Sequence, residues 1–222
     1  MKTAVITGAN RGIGLELARQ LGDRGYRIIA VCRKASPELK ALEVQVEEGI
    51  ELTDRGSLEA LADRLRGTRI DLLVNNAGLL IPTSFDGIED QLDDWRAQFE
   101  VNSLAPLRVT HALINHLNDG GKVAIVSSRV GSMADNGSGG AWAYRMSKAA
   151  VNMAGVNLAH ELRDREIAVG LLHPGFVRTG MTGGQGHVDP AEAAAGLVER
   201  IDELSMDTTG SFRHANGETL PW

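Results

Sequence analysis

The stretch TAVITGANRGIGLELARQL, residues 3–21, decides the fold. Its first five residues are β-branched or small, the composition of a short strand covered on both faces. The chain then runs directly into TGANRGIG (7–14), with glycines at 8, 12 and 14, and on into an amphipathic segment over 12–24. Strand, glycine turn and helix in that order set unpaired backbone N–H groups and a positive helix end beside the turn, an arrangement that suits a pyrophosphate. The spacing is G-x-x-x-G-x-G, not the G-x-G-x-x-G of the general dinucleotide fingerprint. Taken alone, a plain strand–helix turn explains the same glycines, so the nucleotide reading depends on the rest of the chain.

Downstream of residue 24 the same alternation recurs. Apolar runs at 27–32, 71–75, 122–128 and 167–173, with weaker ones at 44–46 and 210–214, read as strands. Amphipathic segments at 57–66, 90–118, 142–164 and 190–204 read as helices between them. The pattern predicts an α/β fold: one doubly wound Rossmann-type domain over 1–222, with a mostly parallel seven-stranded sheet flanked by helices. Glycine-rich loops at 131–140 and 180–187 follow strand C-termini, the edge where such sheets bind ligands. A cofactor site is expected mainly from 1–110, with catalytic and substrate elements mainly from 111–222.

Composition narrows the partners. A formal charge of -6 argues against nucleic acid or an anionic membrane. No apolar run approaches the length of a membrane-spanning helix, and the N-terminus meets glycine too early for a secretory signal. Cys32 is the one cysteine, so no internal disulfide forms and a cytoplasmic setting is expected. His111 and His116 are five apart, a poor spacing for a shared metal, and with His160 they read as surface or interface residues; no metal site is expected.

The second strand ends in Cys32-Arg33, with no acid to receive ribose hydroxyls. Arg33 and Arg11 instead offer guanidinium groups to a 2′-phosphate, which favours NADPH/NADP+ over NADH. Further along, YRMSK (144–148) sets Tyr144 and Lys148 one helical turn apart. An ammonium group near a phenol favours phenolate and lowers the phenol's pKa, and a phenol so tuned serves proton transfer.

TGANRGIG, NNAG at 75–78, a serine-ended fifth strand and YRMSK together resemble the short-chain dehydrogenase/reductase family over essentially the whole chain. The resemblance implies hydride transfer between a nicotinamide and a small carbonyl or alcohol. It makes Tyr144 the general acid/base, Lys148 its tuner and a ribose ligand, and Ser128 the holder of the substrate oxygen. Asn102 matches the helix-kinking asparagine that anchors a relay water. Relatives usually place the serine thirteen residues before the tyrosine, where this chain has Gly131; Ser128 stands sixteen before, and Ser127 and Ser132 compete with it. Gly8, Asn10, Arg11, Gly12, Ile13, Gly14 and Arg33 would meet the cofactor's phosphates. Glu51 and Leu52 would meet the adenine, although the family's acid is usually placed a little differently. Asn76, Ala77 and Gly78 would pass beneath the adenine ribose, and HPGFVRTGM (173–181) would bring Pro174, Gly175, Val177 and Thr179 to the nicotinamide.

Met133, Trp142, Phe176 and Met181 flank that region as a candidate apolar wall or as ordinary packing. Only about ten residues separate Thr179 from the next helix, so an open, weakly selective pocket is expected. The long serine-to-tyrosine loop, YRMSKAAVNM and the tail ending in Pro-Trp resemble the C-factor and Sniffer-like carbonyl reductase branch. Two other readings stand beside the reductase: an NADPH-binding signalling or sensor protein of the C-factor type, and a sugar-nucleotide epimerase, for which the chain is short. Small residues along 142–164 allow close helix packing, and a homodimer is expected.

Overall fold

The structure, a computed structural model, describes all residues 1–222. Its sheet has seven strands: β1 (Thr3–Thr7), β2 (Arg27–Cys32), β3 (Gln45–Glu48), β4 (Ile70–Asn75), β5 (Leu117–Val126), β6 (Ala168–His173) and β7 (Ser211–His214). They lie in the order β3-β2-β1-β4-β5-β6-β7. Every pairing is parallel, so the sheet is more uniform than the expected mostly parallel one.

The continuous apolar strands arise because both faces are covered. Ala4, Ile6, Ala30 and Val74 point to one core with α1 (Gly12–Asp23) and α7 (Pro190–Glu203). Val5, Ile29, Val31 and Leu73 point to a second core with α3 (Arg55–Arg64), α5 (Ala105–Ala112) and α6 (Trp142–Glu161). Neighbouring residues of one strand serve opposite cores, as the two-residue period of a strand requires. A short α2 (Pro37–Lys40), begun by a Ser36 hydroxyl that accepts from Leu39 N, was not anticipated.

The expected helix over 90–118 is corrected. It divides into α4 (Leu92–Phe99), a π-turn over Glu100–Leu104 and α5, which stops at Ala112. Leu113 and Leu117 keep the helical period but are buried in a turn and at the start of β5. Leu117 pairs with Ile70, and Asn118–Gly121 then bulge out before Lys122 pairs with Leu72. Gly120 takes a φ of 73°, and the Asn118 amide donates to Asp71. These turn-forming residues lie where hydrophobic periodicity alone would still continue a helix.

Because the strand order reverses between β1 and β4, the crossovers from these two strands leave in opposite directions. That opens a crevice at their C-terminal ends.

Candidate active site

The crevice is a cleft of about 450 Å³. It runs from Arg33, Lys34 and Glu51 beyond β2 and β3, across the glycine turn and Asn76–Leu79, to Val126, Ser127, Tyr144 and Lys148. Pro174, Thr179, Gly180 and Met181 close its far side.

The glycine turn is built for close approach. Gly8 and Gly12 have φ of 66° and 55°, conformations that side chains disfavour. A methyl at Gly14 would stand 2.3 Å from the Gly8 carbonyl oxygen and 2.5 Å from Asn76 Nδ2. Thr7, the first residue of TGANRGIG, ties this turn to the next: its hydroxyl accepts from Asn76 N (3.0 Å) and Ala77 N (3.2 Å). Asn76 Nδ2 returns a bond to the Thr7 carbonyl at 3.0 Å. No side chain caps α1 at Arg11, so its first-turn N–H groups stay available to an anion. These residues fit a pyrophosphate-bearing group.

At the outer end Arg11, Arg33 and Lys34 gather. Lys34 was missed because nothing in its spacing sets it apart. Arg33 is largely exposed and lies 3.8 Å from Glu51, a loose contact that leaves the guanidinium open to a ligand.

At the inner end α6 presents Tyr144 and Lys148 on one face. Lys148 is 4% exposed and its Nζ donates to the Val126 carbonyl at 2.9 Å. Burial pulls its pKa down to about 8. Burial also pushes the Tyr144 phenol up to about 12, while the Ser128 hydroxyl beside it pulls the other way. The expectation that Lys148 lowers the phenol is therefore corrected. The ammonium is 5.8 Å from the ring centroid, one of its three N–H donors is held by the Val126 carbonyl, and desolvation dominates. A phenol at that value keeps its proton at neutral pH and is suited to donate it.

Three serines competed for the place beside Tyr144. Ser127 borders the cleft, but its hydroxyl donates to Asn152 Oδ1 at 2.5 Å, and Ser132 Oγ accepts from Asp135 N at 3.1 Å. Ser128 Oγ accepts a long bond from Val130 N at 3.4 Å, and of the three serines it alone acts on the Tyr144 phenol. Position 131 is glycine for a steric reason: a Cβ there would lie 2.6 Å from the Lys148 carbonyl carbon. The loop after Ser128 is held by Arg129, which pairs with Asp135 at 2.8 Å and with Glu218. Ala134 N donates to the Trp222 carbonyl, a long-range tie with no local sequence signature.

Asn102 lies 1% exposed in the π-turn, so the helix is deformed where a kink was expected. Its Nδ2 donates to the Leu79 carbonyl (2.7 Å) and Ser147 Oγ (3.0 Å), and its Oδ1 accepts from Leu79 N. One Oδ1 lone pair remains on the side chain.

Gly175 and Val177 stand just behind the cleft wall rather than on it; Val177 is 3% exposed and bridges to Val188. Of the four proposed wall residues only Met181 borders the cleft. Met133 is open to solvent, Trp142 packs on Phe85 at 5.4 Å, and Phe176 on His187. Residues 180–187 fold back on themselves, with Arg178 bonded to Asp189 and to the Gly186 carbonyl, so no large lid covers the site. No cluster of three metal-ligating side chains occurs, and no helix is long and apolar enough to cross a membrane.

Comparison with known proteins agrees with this geometry. Residues 2–188 match the sequence model of the family described as short chain dehydrogenase. The 1-hydroxy-2-glutathionyl-2-methyl-3-butene dehydrogenase of Rhodococcus sp. (strain AD45) is 42% identical over 228 residues, covering 100% of both chains. The carbonyl reductase Sniffer of D. melanogaster superposes with a TM-score of 0.92 at 26% identity, over 100% of each chain. The NADPH-bound carbonyl reductase from chicken fatty liver gives 0.90 at 29% identity, over 100% of this chain and 99% of that one. Likeness that runs from end to end in both sequence and structure leaves one assignment: the chain belongs to the short-chain dehydrogenase family.

Proposed function

We propose that the protein is an NADPH-dependent oxidoreductase that interconverts a small carbonyl compound and its alcohol, with Tyr144 as general acid/base. The observation that carries this reading is one continuous cleft, with Tyr144 and Lys148 at its inner end, the Ser128 hydroxyl beside the phenol, and Arg11, Arg33 and Lys34 at its outer end. Solved relatives that are carbonyl reductases, one of them NADPH-bound, support it.

The chain's own residues divide the work. The Gly8–Gly14 turn, with Asn10 and Ile13, and the N-terminus of α1 hold the pyrophosphate, and Arg11 and Arg33 hold the 2′-phosphate. Glu51 and Leu52 border the adenine, Asn76–Gly78 its ribose, and Pro174 and Thr179 the nicotinamide end, with Gly175 and Val177 backing that wall from behind. When bound, the nicotinamide supplies or accepts the hydride. Ser128 Oγ holds the substrate oxygen, and the protonated Tyr144 hydroxyl donates to that oxygen as negative charge develops on it. Lys148, cationic over most of the neutral range, orients the ribose through the N–H donors that the Val126 carbonyl leaves free. Asn102 offers its remaining lone pair to a water in the proton path.

A panel of aldehydes, ketones and quinones, assayed with NADPH and NADH, tests the proposal. NADPH consumption on some of them is expected, and Arg11→Ala/Arg33→Ala should weaken NADPH binding far more than NADH binding. Tight NADPH binding without turnover on any compound would favour the sensor reading, and equal losses for both cofactors would remove the phosphate role of the arginines.

The proposal extends to a homodimer in the cytoplasm. Leu104, Met146 and Met153 are 45%, 47% and 63% exposed, and the two methionines line the outer side of α6, an apolar surface that a second copy would cover. Light scattering should give twice the mass of one chain; a monomer mass would overturn this. Cys32, buried and unpaired, is compatible with a reducing compartment.

A further inference from the structure

Beyond Tyr144 and Lys148, α6 carries a third polar residue at the same four-residue spacing, Asn152. It is 3% exposed, and its Oδ1 accepts from the hydroxyl of Ser127, itself 2% exposed. Val126, the last residue of β5, and the two residues that follow it are thereby tied to three successive turns of one helix. The Val126 carbonyl meets Lys148 Nζ, Ser127 meets Asn152, and Ser128 meets Tyr144. Gly131, in contact with the α6 backbone at Lys148, lets the two elements come this close.

The polar pair is poorly explained by stability. Asn152 Nδ2 is fully buried and has no hydrogen-bond partner. An apolar pair of similar shape would remove both the orphaned donor and the need for the Ser127–Asn152 bond, a change that is commonly neutral or stabilising. What the bond does supply is direction. Ser127 and Ser128 are adjacent, so fixing the Ser127 side chain on α6 fixes the backbone from which the Ser128 hydroxyl reaches Tyr144.

We infer that Asn152 is a positioning residue, acting through Ser127 to set the separation of Ser128 and Tyr144. The inference rests on the reading of Tyr144 as proton donor, so Tyr144→Phe is assayed alongside on the same substrate from the panel. The test variant is Ser127→Ala/Asn152→Leu, with Ser127→Ala alone as a second. Both are expected to fold, with the double variant melting no lower than the parent and NADPH affinity unchanged. Turnover should fall roughly ten- to a hundredfold, the scale expected for a misplaced reacting group. Because the Ser128 contact holds the phenol's pKa down, weakening it should also move the kinetic pKa of turnover upward. Packing alone would shift the melting temperature and leave turnover and the pH profile in place. Parental turnover and profile in either folded variant would overturn the positioning role. Parental turnover in Tyr144→Phe would instead overturn the underlying assignment of the proton donor.

Discussion

Tyr144→Phe is expected to lower turnover by about 10²–10⁴-fold, the usual contribution of a positioned general acid. The ring is retained, so the packing of the α6 face changes little and only the proton and its oxygen are lost. NADPH affinity should stay within about threefold of the parent, because the residues proposed to meet the phosphates and adenine lie at the glycine turn and beyond β2, at the other end of the cleft. A drop in kcat with unchanged cofactor binding marks an interaction made in the transition state. Fluorescence titration of NADPH and steady-state kinetics on one reactive carbonyl separate the two quantities. A Phe variant that keeps more than a tenth of parental turnover would show that another group supplies the proton. The phenol's elevated pKa adds a directional expectation. At about 12 the group is protonated throughout the neutral range and ready to serve carbonyl reduction, whereas alcohol oxidation needs the phenolate and should gain with rising pH.

Much of this site is legible in the sequence because its chemistry lies in short segments. The strand–turn–helix at 3–21 needs only local glycines and a buried strand, and Tyr144 and Lys148 are brought together by helical spacing alone. Features set by distant contacts are not legible there. The phenol's raised proton affinity follows from the desolvation of its own group by surrounding segments, which outweighs the opposing pull of the Ser128 hydroxyl. The end of the helix at Ala112 follows from Leu117 finding a strand partner in Ile70, which hydrophobic periodicity does not encode. The roles of Thr7, Lys34 and Asn152 are set by contacts across 24 or more residues, the Asn10 bond to the Lys34 carbonyl among them, so the local pattern around each residue does not reveal what it does.

Gly131→Ser probes the feature that the spacing made puzzling. It installs a serine at the distance from the tyrosine that relatives commonly use. In this fold the new Cβ would lie 2.6 Å from the Lys148 carbonyl carbon and 2.9 Å from Ala149 N, both backbone atoms of α6. Neither can swing aside as a side chain would, so the loop and the helix must separate. Overpacking of this kind costs about 1–3 kcal/mol, which for a chain of this size lowers Tm by about 2–4 °C per kcal/mol. The displacement falls on the turn that carries Lys148 and stands next to Tyr144, so turnover should drop by about 10²-fold. Ser128→Ala should also lose most of its turnover while cofactor binding holds, and adding Gly131→Ser to it should restore nothing. If Gly131→Ser retained parental activity, or rescued Ser128→Ala, the serine at 131 would be competent and the assignment of Ser128 would fail. The longer loop is then best understood as a consequence of packing. With α6 drawn against Gly131, no side chain fits at that position, and the hydroxyl beside Tyr144 comes from the end of β5.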